Sequence, residues 1–379
     1  MAIYTSSYYN EDHEIKMIKG KIEKDIRSAY YGGAVHLPGD GRGKGISEGY
    51  AYDMNSQYPN AMLNDMPVGN PILTTENDLD KLFGFTYGTI IPPNEDELRV
   101  AIIRNRENNE IVFPRRPFKR LIFTEEIKEA IKYGYSFEPD YTFQFKRGKD
   151  VFKDYVLEHY EEKANAKDNL TRNTAKLKLN TLYGKFGMKD VESHMKIVDS
   201  KQLAKINNEY NIETISGISK DRFLLKYSER IPETLRNLMI ELEKEIQNES
   251  NIKDLIRTQR GVPSAIQIAG AIAGYSSASM FKFLNISGNP LIYSDTDSVV
   301  LKYKLDDQYV GKGLGKMKLE YEIKRAIYPD KKLYAVETTT NRIIKKAVGM
   351  NSKQLTIDNY FDFVKGIPLT ASDMIFKVD

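Results

Sequence analysis

Apolar residues recur at helical spacing through residues 151–186, and this stretch is read as two helices. In the second, Ala175, Leu179, Leu182 and Phe186 fall at i, i+4, i+7 and i+11, one buried stripe with Thr171 as its expected cap. Upstream, Gly49–Asp53 reads as a strand. Residues 60–150 carry short apolar runs (Val100–Ile103, Ile111–Phe113) between Pro and Asn turns, and are read as strands with a helix over Thr124–Tyr133. Residues 187–262 hold strand-like pieces and a charged helix near Pro232–Glu249. Ala265–Leu284 is apolar, but mostly through Ala and Gly, and is interrupted by Gln267, several serines and Lys282. That pattern predicts a tightly packed buried helix rather than a membrane span. Pro290–Tyr303 has two apolar runs flanking Ser294–Ser298, a hairpin signal with acidic residues at its turn. A late helix is expected near Asp358–Lys365.

Composition narrows the picture only slightly. A chain of 379 residues with 41% apolar content has room for two or more domains or several lobes. Its net charge of +3 decides nothing alone, because acidic site residues mask basic patches in the total. Cysteine is absent, which removes disulfides and thiolate metal sites, and only four histidines occur, which argues against zinc. The first twenty residues lack both an apolar signal core and an acid-poor transit pattern. The loop Pro38–Gly45 is glycine-rich, but it does not lead from a strand into a Lys-Ser/Thr helix start. It reads as a flexible surface turn, not a phosphate loop.

Candidate chemistry lies in carboxylates and cations. Nucleotidyl transfer on two Mg²⁺ ions needs two or three aspartates on rigid strand ends from separate segments. Asp295 and Asp297, one residue apart, share a face in extended geometry, while Thr296 points the other way. An isolated Asp-x-Asp is ordinarily a solvated turn. Asp53, at the end of the predicted strand, is a second carboxylate at a strand end. Arg172, Lys176, Asn180 and Gly184, spaced by four, line the helix face opposite the apolar stripe; this is either a solvated basic face or a seat for phosphate oxygens. Gly184 leaves room for a base pair, and Tyr183 offers a flat ring beside it.

These segments together resemble family B DNA polymerases, and within them the protein-primed branch of phages and linear plasmids. Asp53-Met-Asn-Ser-Gln-Tyr-Pro59 is similar to the first palm motif, with Gln57 in place of the usual Leu. Lys176-Leu-Lys-Leu-Asn-Thr-Leu-Tyr-Gly184 is similar to the fingers motif, with Thr181 in place of Ser. Tyr293-Ser-Asp-Thr-Asp-Ser298 matches the Tyr-x-Asp-Thr-Asp-Ser hairpin. Tyr30-Tyr-Gly-Gly33 and Lys332-Leu-Tyr334 resemble two further motifs, and the five in order span residues 30–334. Reverse transcriptases and RNA polymerases, which favour Tyr-x-Asp-Asp or Gly-Asp-Asp at the hairpin, are set aside.

The resemblance implies an α+β right-hand fold with an antiparallel-sheet palm, helical fingers, a small thumb and two insertions. The expected divisions are an N-terminal segment (1–29), palm with a first insertion (30–151), fingers (152–187), a second insertion (188–262), palm again (263–334) and thumb (335–379). It implies a template-directed DNA polymerase with two Mg²⁺ ions, for which Mn²⁺ can substitute. Asp53 and Asp297 are the implied principal ligands, Asp295 an assistant, and the Met54 carbonyl a further ligand. Ser56, Tyr58, Arg172, Lys176, Asn180 and Tyr183 are implied nucleotide contacts. Lys163 or Lys167 is a further candidate. Tyr30, Gly32, Gly33, Thr181, Gly184, Thr296, Lys332 and Tyr334 are implied DNA contacts. The implied partners of what is expected to be a monomer are primer-template DNA, deoxynucleotides and a terminal protein whose hydroxyl primes synthesis, with no membrane. Only 29 residues precede Tyr30, too few for an editing exonuclease, so none is expected in this chain; Asp12-His-Glu14 is read as a chance likeness to an exonuclease motif. The alternative is a catalytically inactive remnant that binds DNA or terminal protein. The compartment is open: a mitochondrion for an organellar linear plasmid, the host cytoplasm for a phage.

Overall fold

The short apolar run before Asp53 forms a central strand of an eight-stranded sheet. The sheet consists of β1 (Val35–His36), β2 (Gly45–Ile46), β3 (Gly49–Met54), β4 (Leu291–Asp295), β5 (Ser298–Leu301), β6 (Met317–Asp330), β7 (Leu333–Thr338) and β8 (Ile343–Ala347). Its order is β1-β4-β5-β3-β6-β7-β8, with β2 beside β6, and every pairing is antiparallel. Alternate residues serve opposite faces. Tyr52, Met54, Val299 and Leu301 pack into one core, while Ala51, Val300, Tyr293 and Tyr328 pack into another.

This computed structural model describes residues 4, 7–9, 13–39, 41–108, 110–188, 193–229, 264–348, 352–353 and 355–367. The chain divides into two units. One comprises Met1–Tyr9 and Gly184–Ala265; the other, which carries the eight-stranded sheet, comprises Asn10–Tyr183 and Ile266–Asp379. Its main helices are α1 (Thr124–Ile131), α2 (Lys153–Asn165), α3 (Asn169–Gly187), which runs past the unit boundary, and α4 (Ile266–Leu284). A four-stranded antiparallel sheet is ordered Met66–Thr74, Ser136–Gly148, Gly84–Ile91, Phe118–Phe123.

The small residues of α4 have a packing reason. A Cβ on Gly270 would lie 2.9 Å from the Phe85 ring, and one on Gly274 would lie 2.8 Å from the Phe123 ring. Bulkier residues would hold these aromatic rings off the helix. Among the described residues no helix is long and apolar enough to cross a membrane.

In the smaller unit, Ser193–Val198, Arg222–Glu229 and Tyr210–Ser219 form a three-stranded antiparallel sheet in that order. The intervening helix Ser200–Glu209 starts with a capping box between Asp199 and Gln202. Tyr4 meets Phe186 edge-on at 6.4 Å between ring centroids. The Ala265 N–H donates to the Phe186 carbonyl at 3.0 Å, so the unit's two ends on this side are joined.

Several expectations are corrected. Asp168, not Thr171, caps α3: its carboxylate accepts from the Thr171 N–H at 2.8 Å and from the Thr171 hydroxyl at 2.7 Å. Val100–Ile103 is buried but forms no strand. Its backbone is satisfied by side chains: Val100 N–H donates to Asn285 Oδ1 at 2.9 Å, and Ile102 N–H donates to the Tyr135 hydroxyl at 3.1 Å. Residue 335, the expected palm–thumb boundary, lies within β7, which pairs with β8; this neither supports nor overturns the division. The helix expected near Pro232–Glu249 lies outside the described residues. The Pro38–Gly45 loop is tied down rather than loose, with Gly43 N–H on the Tyr328 carbonyl at 2.9 Å and Arg42 paired to Asp330 at 2.7 Å.

Candidate active site

The three aspartates meet where β3 and the β4–β5 hairpin end side by side. Asp53 lies across from Ser298 of β5 and Lys318 of β6. The Met54 N–H donates to the Asp297 carbonyl at 2.8 Å, which locks the turn to the strand end. In an extended strand the N–H and C=O of one residue point to the same side, so the Met54 carbonyl is also directed toward the hairpin. Thr296 takes the left-handed conformation at φ 62°, and its N–H donates to the Ala34 carbonyl at 2.8 Å. Ser56 and Lys332 are left-handed too, at φ 53° and 57°. Such conformations cost energy in residues other than glycine and collect where geometry is demanded.

The carboxylates divide into two kinds. Asp295 is held by the Lys332 ammonium, which reaches both its oxygens at 2.9 and 2.8 Å. Among the described residues no ammonium or guanidinium pairs with Asp53 or Asp297 in this way, and both carboxyls are pushed toward the neutral form. Burial, then Asp297, then Glu320 push the Asp53 carboxyl up to about 7, against the pull of Lys318 and Lys176. Burial and Asp295 likewise raise Asp297, against Lys176 and Lys332. Paired acids crowded in this way favour a cation between them. Among the described residues no three acidic or histidine side chains form a metal cage. Two carboxylates still suit Mg²⁺, which keeps waters and takes phosphate oxygens as its other ligands. The residues present therefore fit Mg²⁺.

Opposite the acids lies a cationic group. Lys163, on α2, donates to the Ser56 hydroxyl at 2.8 Å. Burial, then Lys176, then Arg172 lower its pKa, while Asp53 raises it, so these charges share one neighbourhood. Lys167 lies beyond the end of α2. On α3 the apolar stripe Ala175, Leu179, Leu182, Phe186 is buried as expected, and Arg172 and Lys176 are exposed. Tyr58 and Tyr183 stack with centroids 4.1 Å apart and planes at 4°. Tyr30 lies near enough to Tyr183 that, after burial, the Tyr183 hydroxyl contributes to raising its pKa. Tyr334 packs against Tyr293 at 5.4 Å.

Asn180 and Thr181 are exposed on α3; the Thr181 hydroxyl bonds back to the Leu177 carbonyl at 2.8 Å. Gly184 falls in the other unit. One residue of the site was legible only as a departure from the motif. Gln57 is buried, and its amide donates to the carbonyls of Ser276 at 3.1 Å and Thr296 at 3.4 Å, joining α4 to the aspartate turn.

Residues 1–282 match the family model described as DNA polymerase type B, organellar and viral. The chain belongs to that family. A probable DNA polymerase of Agaricus bitorquis is 34% identical over all of this chain and 48% of its own length. One from Podospora anserina is 29% identical over 88% of this chain and 28% of its own length. The chain thus spans about half or less of the curated relatives it matches. Phi29 DNA polymerase complexed with primer-template DNA and incoming nucleotide substrates shares the mixed α+β fold, with a TM-score of 0.69 over 95% of this chain and 61% of that one, at 19% identity. This type B polymerase chain therefore has its aspartate site within a fold shared with a solved relative.

Proposed function

We propose that this chain is the polymerising part of a template-directed DNA polymerase. The observation that carries the reading is the convergence of Asp53 and Asp297, from separate strands, facing Lys163 and Lys176. On this reading the eight-stranded sheet is the palm and α2 with α3 the fingers. The four-stranded sheet belongs to a first insertion and the smaller unit to a second.

Bound Mg²⁺ would neutralise charge on the attacking and leaving oxygens. The protein residues then act by positioning. Asp53 and Asp297 fix where the ions sit. Lys163, Lys176 and Arg172 hold the triphosphate, and Tyr58 lies under the sugar and excludes a 2′-hydroxyl. Lys332, held on Asp295, steadies the primer end beside Tyr334. The primer 3′-hydroxyl attacks the α-phosphate in line, the bond to pyrophosphate breaks, and pyrophosphate leaves. Membership of the organellar and viral family supports a protein primer, whose hydroxyl would take the place of the primer 3′-hydroxyl in the first addition.

Primer extension with Mg²⁺, run beside deoxynucleotide transfer to a terminal protein, tests both parts. Asp297→Asn is expected to lower incorporation by at least about a thousandfold while primer-template binding survives, as loss of a transition-state charge partner does. Well-folded wild-type protein that incorporates nothing would leave the inactive binding remnant as the reading.

A further inference from the structure

Beneath the Tyr31–Gly33 segment lies a charge cluster with no place in the reading above. Arg104, Arg120 and Glu126 are all buried. The Arg104 Nη1 donates to the Gly32 carbonyl, and its Nη2 lies 3.5 Å from Glu126 on α1. Arg120 pairs with the other Glu126 oxygen at 3.6 Å, and its guanidinium sits 4.7 Å from the centre of the Tyr31 ring. Arg104 lies over the same ring at 5.5 Å. Two buried arginines against one glutamate are expensive, and Arg120 finds no hydrogen-bond partner among the described residues. Well-packed apolar residues would commonly be no less stable at such a place.

What the cluster holds is more telling than what it costs. Gly33 follows the carbonyl that Arg104 grips. A Cβ on Gly33 would lie 1.9 Å from the Thr296 hydroxyl oxygen, so the segment rests against the aspartate turn. The next residue, Ala34, accepts the Thr296 N–H, and Val35 pairs with Asp295. Glu126, Arg104, Gly32–Gly33 and Thr296 therefore form one continuous support behind Asp295 and Asp297.

We propose that Arg104 and Glu126 are positioning residues for the aspartate turn, acting through Gly32 and Gly33 rather than by touching substrate. In its kinetic consequences the proposal rests on the polymerase reading. In its structural consequence it does not, because it predicts how firmly the Thr296 N–H is held on Ala34.

The test is amide hydrogen exchange at Thr296, read beside primer extension and primer-template affinity. Arg104→Ala is expected to speed Thr296 exchange by about tenfold or more, the scale of one lost charge-assisted hydrogen bond, with the three-stranded sheet of the smaller unit unaffected. Incorporation should fall chiefly in kcat, with nucleotide KM unchanged and any change in primer-template Kd smaller than the fall in kcat. Arg104→Lys should recover part of the loss, since an ammonium can serve Gly32 or Glu126 but lacks the planar fork that serves both. If Arg104→Ala does not fold, Arg104→Lys and Glu126→Gln carry the test, each with faster Thr296 exchange. Unchanged exchange at Thr296 in the folded variants would overturn the proposal. So would a defect confined to primer-template Kd, which would make Arg104 a nucleic-acid contact. Wild-type protein without incorporation would defeat the polymerase reading and leave the exchange result to decide this one.

Discussion

Asp53 shows how a residue can be costly to the fold at the very place where the proposed site would use it. Its carboxyl is raised to about 7 by burial and by Asp297, well above the ordinary value of 3.8. The folded protein therefore binds a proton that the unfolded chain has released between those values. The resulting stabilisation is present below about 4 and lost as pH rises through 7. Asp53→Asn removes the titration. In metal-free buffer its melting temperature is expected to exceed that of the wild type at pH 7–8, by about 1–2 °C per kcal/mol of repulsion relieved. The gain should shrink toward pH 4, and melting curves across that range check it. An equal gain at every pH would sink the argument. The aspartates and Lys176 stood out by residue type and position, whereas Tyr58 entered only through the resemblance. Lys163 was not separable from Lys167 by spacing, since the choice depends on where α2 stops. Arg104, Arg120 and Glu126 left no signal at all: a charged residue in a polar context reads as solvated, and only tertiary packing buried them.

At the scale of elements, periodicity located α3, α4 and the β4–β5 hairpin, because each buries a face at a fixed spacing. It failed for Val100–Ile103, an apolar run whose backbone is satisfied by Asn285 and Tyr135 instead of a neighbouring strand. Sequence shows that such a run is buried, but not which groups will satisfy it. The cap of α3 was misplaced because Asp168 and Thr171 are both good cappers, and the helix began one turn earlier. In α4 the small residues were read correctly as close packing, and this has a measurable consequence. Gly274→Ala would press a methyl group into the Phe123 ring at 2.8 Å. Overpacking of this kind costs about 1–3 kcal/mol, despite the better helix propensity of Ala. Chemical denaturation is expected to show that loss, and a stabilised variant would mean the ring moves aside freely.

At the scale of the molecule, the resemblance placed an insertion at residues 188–262 by position only, and Gly184–Ala265 separates as part of its own unit. The sequence did not disclose that Met1–Tyr9 belongs with it, because the contact of Tyr4 with Phe186 links positions far apart in the chain. Replacing residues 189–263 with a short Gly/Ser linker is expected to leave addition of single nucleotides intact and to shorten the products of extension on long templates. Loss of single additions in a folded deletion variant would refute this. The expectation draws on the hydrogen bond between Phe186 and Ala265. A chain that departs and returns at neighbouring residues makes a side excursion whose size the main path does not sense. The entropy of closing such an excursion grows only with the logarithm of its length. This is therefore a place in the chain where residues can be gained or lost over evolutionary time with α3 and α4 left in register.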